Sequence, residues 1–105
     1  MPLDPTSGDQ ITLTDAQAFV KSFRGKFPRE IKGSFIGANK VHAILAQDQC
    51  IGIRCYHGYD DALGIMNLVL VGVDTNERDM TAGIIMERLV PCPGSCHSLS
   101  PLYNV

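Results

Sequence analysis

The residues best suited to chemistry lie close together in LVPCPGSCHSLSP, where Cys92, Cys96 and His97 stand among Pro91, Pro93 and Gly94. Proline fixes its own φ and drives the residue before it toward extended backbone, while glycine and serine favour turns. Cys92 should therefore enter the segment extended, and Gly94 and Ser95 should turn the chain back toward Cys96. That brings the two sulfurs near one another. A disulfide, half of a zinc site, a redox pair and an ordered tail with two small apolar pegs all fit these letters.

Each reading makes a different demand. A disulfide across so short a loop contributes only ~2 kcal/mol by chain entropy, and a cytosolic thiol pool opposes it. The spacing is not the Cys-x-x-Cys of thioredoxin-like proteins, and no strand-to-helix turn surrounds it. Zinc needs a closed tetrahedral shell, of which this pair supplies half. The other half would come from Cys55 and His57, which share one face of a strand, whereas Cys50 and Cys55 point to opposite faces. A site of Cys92, Cys96, Cys55 and His57 requires the tail to cross that face. Ile51 and Ile53 lie on it too, so Cys55 also reads as a small apolar residue. The preferred expectation is a packed tail with two reduced thiols and no cofactor. Zinc is the alternative, and a thiol redox protein the second alternative.

Other constellations fall short of a catalytic site. DTNERD, at Asp74–Asp79, begins like a calcium loop but lacks the glycine at its sixth position and the distant glutamate. Asp60 and Asp61 lie at the opposite end of the intervening strand, so the two acidic groups read as turns. There is no nucleophile elbow, no His-Glu-x-x-His helix and no phosphate loop. His42 stands isolated, as an exposed or core-edge histidine. No catalytic residue is assigned.

The elements that must position these residues follow from periodicity. The Pro, Gly, Ser and Asp of residues 1–10 make a mobile leader. Thr14 and Gln17 form a capping box for a helix whose apolar stripe is Ala16, Phe19, Val20, Phe23 and Phe27, with Gly25 and Pro28 ending it. REIKGSFIG reads as an ordered connector. A second helix begins near Asn39 and carries Val41, Ile44 and Leu45. From Cys50 the period becomes two: Ile51, Ile53, Cys55 and His57 alternate with Gly52, Arg54 and Tyr56. IMNLVLVGV is apolar on both faces, with Met66, Leu68 and Leu70 opposite Val69, Val71 and Val73. Residues 80–90 supply a third antiparallel strand, or alternatively a short helix through Ile84–Leu89.

Helices first and strands after predict an α+β fold. Two N-terminal helices pack on one face of a small, mainly antiparallel sheet of three or four strands. Residues 11–91 form the domain, and residues 92–105 a Pro- and Cys-containing tail packed on or near it. Because two helices cover only one face, the other falls to the tail or to another molecule, with Val69 and Val71 the first candidates.

ILAQDQCIGIRCYHG, LVLVGVDTNERDM and LVPCPGSC together resemble a group of short uncharacterised bacterial proteins with the same order of segments. The resemblance spans roughly Ile11 to Cys96, and implies a one-domain bacterial protein without implying an activity. That group carries glycine in the turn where this chain has Glu77 and Arg78, and an aromatic or aliphatic residue in place of Cys55.

Composition sets the outer limits. In 105 residues, 45% are hydrophobic and 19% charged, and the formal net charge is -2. Folding at this size buries roughly 65% of the unfolded chain's surface, enough for one core. The nine Lys and Arg are scattered, which argues against general nucleic-acid binding. No secretory signal or membrane-spanning run is visible, so a cytoplasmic location is expected. The function expected is that of a small non-enzymatic module that binds another protein or itself as a homodimer.

Overall fold

Ile65–Asp74 is the strand on which the larger of two antiparallel sheets is built. The computed structural model describes residues 2–105. Its elements are α1 (Leu13–Lys26), β1 (Gly33–Phe35), α2 (Ala38–Leu45), β2 (Cys50–Asp60), β3 (Ile65–Asp74), β4 (Ile85–Met86) and β5 (Val90–Cys92). Two helices with antiparallel sheets of three and two strands make the chain α+β. The strands divide as β2-β3-β4 and β1-β5, not as the single sheet expected. The chain forms two compact units. One holds the residues up to Ser7 with Ile36–Leu89, the other Gly8–Phe35 with Val90–Val105.

In the first unit, β3 is flanked by both neighbours. β2 pairs with it from Cys50↔Asp74 to Asp60↔Ile65, with one register shift between Cys50 and Gly52. β4 meets it only at Leu70↔Met86 and Val71↔Ile85. The expected third strand is thus a two-residue one. It is preceded by a turn in which Gly83 N–H donates to Met80 O (3.0 Å). Arg88 takes a positive φ of 61°, which is incompatible with the alternative helix.

Cross-strand partners share a face, so Gly52, Arg54 and Tyr56 lie with Val73, Val71 and Val69, and Ile53, Cys55 and His57 with Gly72, Leu70 and Leu68. Both faces of β3 are used. Leu70 on one face and Val71 and Val73 on the other are buried, as is Ile44 of α2, and α2 runs beside β2 and β3. Val71 is therefore part of this chain's own core, a correction to its expected place on an open face. Gly72 is needed for closeness: a Cβ there would stand 2.9 Å from Gln47 Nε2, 3.1 Å from Cys50 Sγ and 3.2 Å from Met80 Sδ.

Gln47 ties α2 to the segment before β4. Its Nε2 donates to Ile44 O (2.9 Å), and its Oε1 accepts from Ile84 N–H (2.9 Å). The connection between β3 and β4 is a self-satisfied turn. Asp74 Oδ1 accepts from Asn76 N–H (2.9 Å) and Arg78 N–H (3.0 Å). Glu77 sits at φ 63°, the left-handed region that glycine enters without penalty.

The second unit brings together two segments distant in sequence, Gly8–Phe35 and Val90–Val105. Thr12, not Thr14, caps α1, its Oγ1 accepting from Asp15 N–H (3.1 Å). ITLTDAQ offers two overlapping threonines, and the earlier one gains an acidic residue at N3. The expected connector contains β1, which pairs with β5 from Gly33↔Cys92 to Phe35↔Val90. α2 likewise starts from Gly37, two residues ahead of the expected Asn39 cap, without a side-chain cap bond. The apolar stripe of α1 has no fully buried member: Phe19 is 69% and Phe27 50% exposed.

These burials predict unequal costs of truncation. Leu70→Ala should lower stability by roughly 2–5 kcal/mol, whereas Phe19→Ala should change it by less than about 0.5 kcal/mol. Urea titration of the two variants beside the parent measures both.

Candidate interaction surface

β2 is an edge strand of 11 residues, with β3 on one side and, among the described residues, no strand of the sheet on the other. Edge strands expose a row of unpaired backbone donors and acceptors, which proteins commonly blunt with lysine, proline or short length. CIGIRCYHGYD contains neither lysine nor proline. Its outer half is open on both faces: Cys55, Tyr56, His57 and Tyr59 are exposed, Tyr59 to 56%. The hairpin tip adds Leu63, 70% exposed.

The tip itself is rigidly built. Asp60 Oδ1 accepts from Ala62 N–H (3.0 Å) and Leu63 N–H (3.1 Å), and Gly64 N–H donates to Asp60 O (2.8 Å). Gly64 closes the turn at φ 68°. Behind the tip, Gly58 leaves room for Asn67, whose Oδ1 would clash with a Cβ at position 58. Asn67 Oδ1 is buried and has no hydrogen-bond partner among the described residues.

A polar clamp fixes the middle of the edge. Arg54 Nη1 donates to Asp79 Oδ1 in an ion pair, and Tyr56 Oη donates to Asp79 Oδ2. Arg54 and Tyr56 are neighbours on one face of β2, so a single carboxylate engages both. Asp79 is itself bridged to Val73. The clamp holds the Asp79 carboxyl below its ordinary range, first through the Tyr56 hydroxyl and further through Arg54, while partial desolvation opposes them. The same carboxylate raises the Tyr56 hydroxyl and the Arg54 guanidinium.

The segment expected as a leader reaches this sheet. Leu3 N–H donates to Glu77 Oε1 (3.0 Å), and Asp4 Oδ1 accepts from Thr6 N–H (2.7 Å). Leu3 and Pro5 with Ile51, Ile53, Arg54 and Val73 line a cleft of about 230 Å³. It lies toward the beginning of β2, and leaves Cys55–Tyr59 uncovered.

The residues proposed for zinc fall into two groups. Cys55 and His57 share a face of β2 in the first unit, both exposed. Cys92 and Cys96 are in the second unit and joined as a disulfide, with Cα atoms 5.0 Å apart, inside the range that bridging requires. This differs from the two reduced thiols expected. In this state neither sulfur is a thiolate able to ligate a metal. Among the described residues, no group of three or more His, Cys, Asp or Glu is placed to hold a metal ion, and no helix is long and apolar enough to cross a membrane.

Sequence reasoning found the faces of β2 but missed the clamp. Asp79 was read only as part of an acidic turn, and its separation from Arg54 gave no signal. No protein-family model matches the chain, and neither a curated protein nor a solved structure matches it.

The clamp yields a pH prediction with a defined sign. Because folding depresses Asp79 below its ordinary 3.8, its contribution is fully present above that value and is lost as pH falls through the folded-state value. Asp79→Asn should therefore destabilise the protein at neutral pH, and its denaturation midpoint should converge with the parent's as pH drops below 3.8. Denaturation midpoints taken across acid pH for both proteins check this. The bridge gives a second expectation: the double change Cys92→Ser, Cys96→Ser should cost ~2 kcal/mol or less, measured by the same titration.

Proposed function

We propose that this protein is a non-enzymatic self-associating module, in which β2 of one copy pairs antiparallel with β2 of a second copy about a two-fold axis. The observation that carries this reading is the long edge strand with no lysine or proline and an exposed aromatic outer half. Two-fold dimers are the commonest closed assemblies, and an open edge is a template for pairing with another chain. It would join two three-stranded sheets into one, each with α2 along one face.

Charge selects the register. Pairing centred on His57 sets Arg54 of one copy against Asp60 of the other, Cys55 against Tyr59, and Tyr56 against Gly58. Opposite charges directly across a ladder stabilise it, and Arg54 keeps donors beyond the Nη1 that engages Asp79. Centring on Cys55 instead sets Gly52 against Gly58 and Cys50 against Asp60. That register gains no charge pair. Tyr56 is already held in place by Asp79, so little side-chain freedom is lost on pairing.

We place the module in the cytoplasm, as the sequence leads one to expect, and its role there needs neither a metal nor a prosthetic group. A different protein chain adding a strand to the same edge is the competing occupant.

The His57 register is tested by a residue that faces itself. Antiparallel partners have Cα atoms ~4.5–5.5 Å apart, a distance a disulfide spans. His57→Cys in a Cys55→Ser background should therefore form a covalent dimer on mild oxidation, and Leu63→Cys in the same background should not. Sedimentation of the unmodified protein should show a dimer at high micromolar concentration. A monomer there, with no crosslink through position 57, would overturn self-association and leave the edge to another chain.

A further inference from the structure

We infer that the Cys92–Cys96 disulfide is a thiol–disulfide exchange site for small anionic thiols. The second unit places this bridge at a pocket of about 240 Å³ whose wall includes Arg24, Lys32, Cys92, His97, Ser100 and Tyr103. The lining has two cations, an imidazole and the hydroxyls of Ser100 and Tyr103 beside the apolar Val20 and Leu102, and among the described residues no carboxylate. Cys92 borders the pocket and Cys96 does not line it, so Cys92 Sγ is taken as the atom an entering thiolate attacks.

The cations are held in place by the fold. Arg24 Nη1 donates to Tyr103 O and Nη2 to Leu102 O (3.2 Å), while its Nε is buried without a hydrogen-bond partner among the described residues. Arg24 Cζ lies 5.3 Å from the centroid of the Tyr103 ring, and Lys32 Nζ lies 4.7 Å from the same centroid. One aromatic ring therefore holds two cations together, a favourable cation–π arrangement for each. Lys32 N–H also donates to Cys92 O (2.6 Å), which fixes the lysine's backbone to that of the reacting cysteine. Carbonyl oxygens supply dipoles but no negative charge, so the pocket stays cationic and favours anions.

The reaction is balanced without a further cofactor. A thiolate forms a bond to Cys92 Sγ as the Cys92–Cys96 bond breaks, and the electron pair leaves on Cys96 as a thiolate. A second thiolate then attacks the external sulfur of the mixed disulfide and displaces Cys92 as a thiolate. Two molecules of thiol are oxidised to one external disulfide, and the protein bridge is reduced to a dithiol. The reverse sequence reduces an external disulfide. The thiolate is the reacting species. A carboxylate on the same small molecule gives the pocket a second anion to hold, so the substrate class is a carboxylate-bearing thiol.

The test uses the full chain and two defined thiols. Reduction of the bridge by 3-mercaptopropionate and by cysteamine is followed by mass spectrometry of the protein. Each rate is divided by that for an oxidised peptide covering Val90–His97, which removes the intrinsic reactivity of the thiols. The protein should favour the anionic thiol over the cationic one about tenfold more than the peptide does. That preference should collapse toward the peptide's in Lys32→Ala. In the native protein it should also collapse near 1 M NaCl, where the screening length falls to about 3 Å. The salt arm needs no variant and stands if Lys32→Ala folds poorly. A protein whose preference equals the peptide's at low salt, or whose preference survives high salt, would overturn the assignment.

Discussion

Everything in the first unit depends on β3 being paired along both edges while both of its faces are apolar. A strand of this kind has no solvent side, so each face must find cover within the fold or outside it. Gly72 lies close to Gln47, Cys50 and Met80 on the face it shares with buried Leu70, and Val71 and Val73 are buried on the opposite face. The register with β2 follows from the same constraint, because a slip of one residue would exchange the two faces. Once β3 is central and β4 occupies its other side for only two residues, β2 is left as the long open edge.

The clamp connects this core requirement to the surface. Asp79 follows the turn after β3, is bridged to Val73, and reaches across to Arg54 and Tyr56 on β2. One carboxylate therefore holds the turn against the hairpin and fixes the orientation of an exposed tyrosine on the edge. The second unit solves a different problem. Its sheet is short, the stripe of α1 is incompletely covered, and Arg24, Lys32 and Tyr103 join its two segments through cation–π contacts and carbonyl hydrogen bonds. The disulfide fixes the loop that closes it.

Much of the larger sheet was legible because strand alternation is a local signal. The faces of Gly52, Arg54 and Tyr56 against Ile53, Cys55 and His57 follow from spacing alone, and the apolar run of β3 marks its centrality. What was not legible depended on distant partners. β1 and β5 are three residues each, too short for a period, and each is a strand only because the other pairs with it. Thr12 and Thr14 both satisfy a capping pattern, and the choice rests on where the helix can start. The Phe19 and Phe27 stripe has true helical spacing, but spacing does not say how much of a stripe is covered. Val71 was assigned to an open face by parity, which identifies its side of the sheet and not what lies over it. The approach of Cys92 to Cys96 was readable from Pro91, Pro93 and Gly94, whereas the bond and its cationic surroundings were not, because Arg24 and Lys32 are far away in sequence.

The central claim is that the outer edge of β2 is occupied in the associated state, and backbone amide exchange measures that edge directly. Exchange of the amides from Cys55 to Tyr59 should be followed by NMR from low to high micromolar protein. The account predicts that alternate amides in this stretch, those directed away from β3, slow progressively with concentration, while those already paired with β3 change little. Uniform exchange across the concentration range, with the outward amides remaining fast, would contradict it.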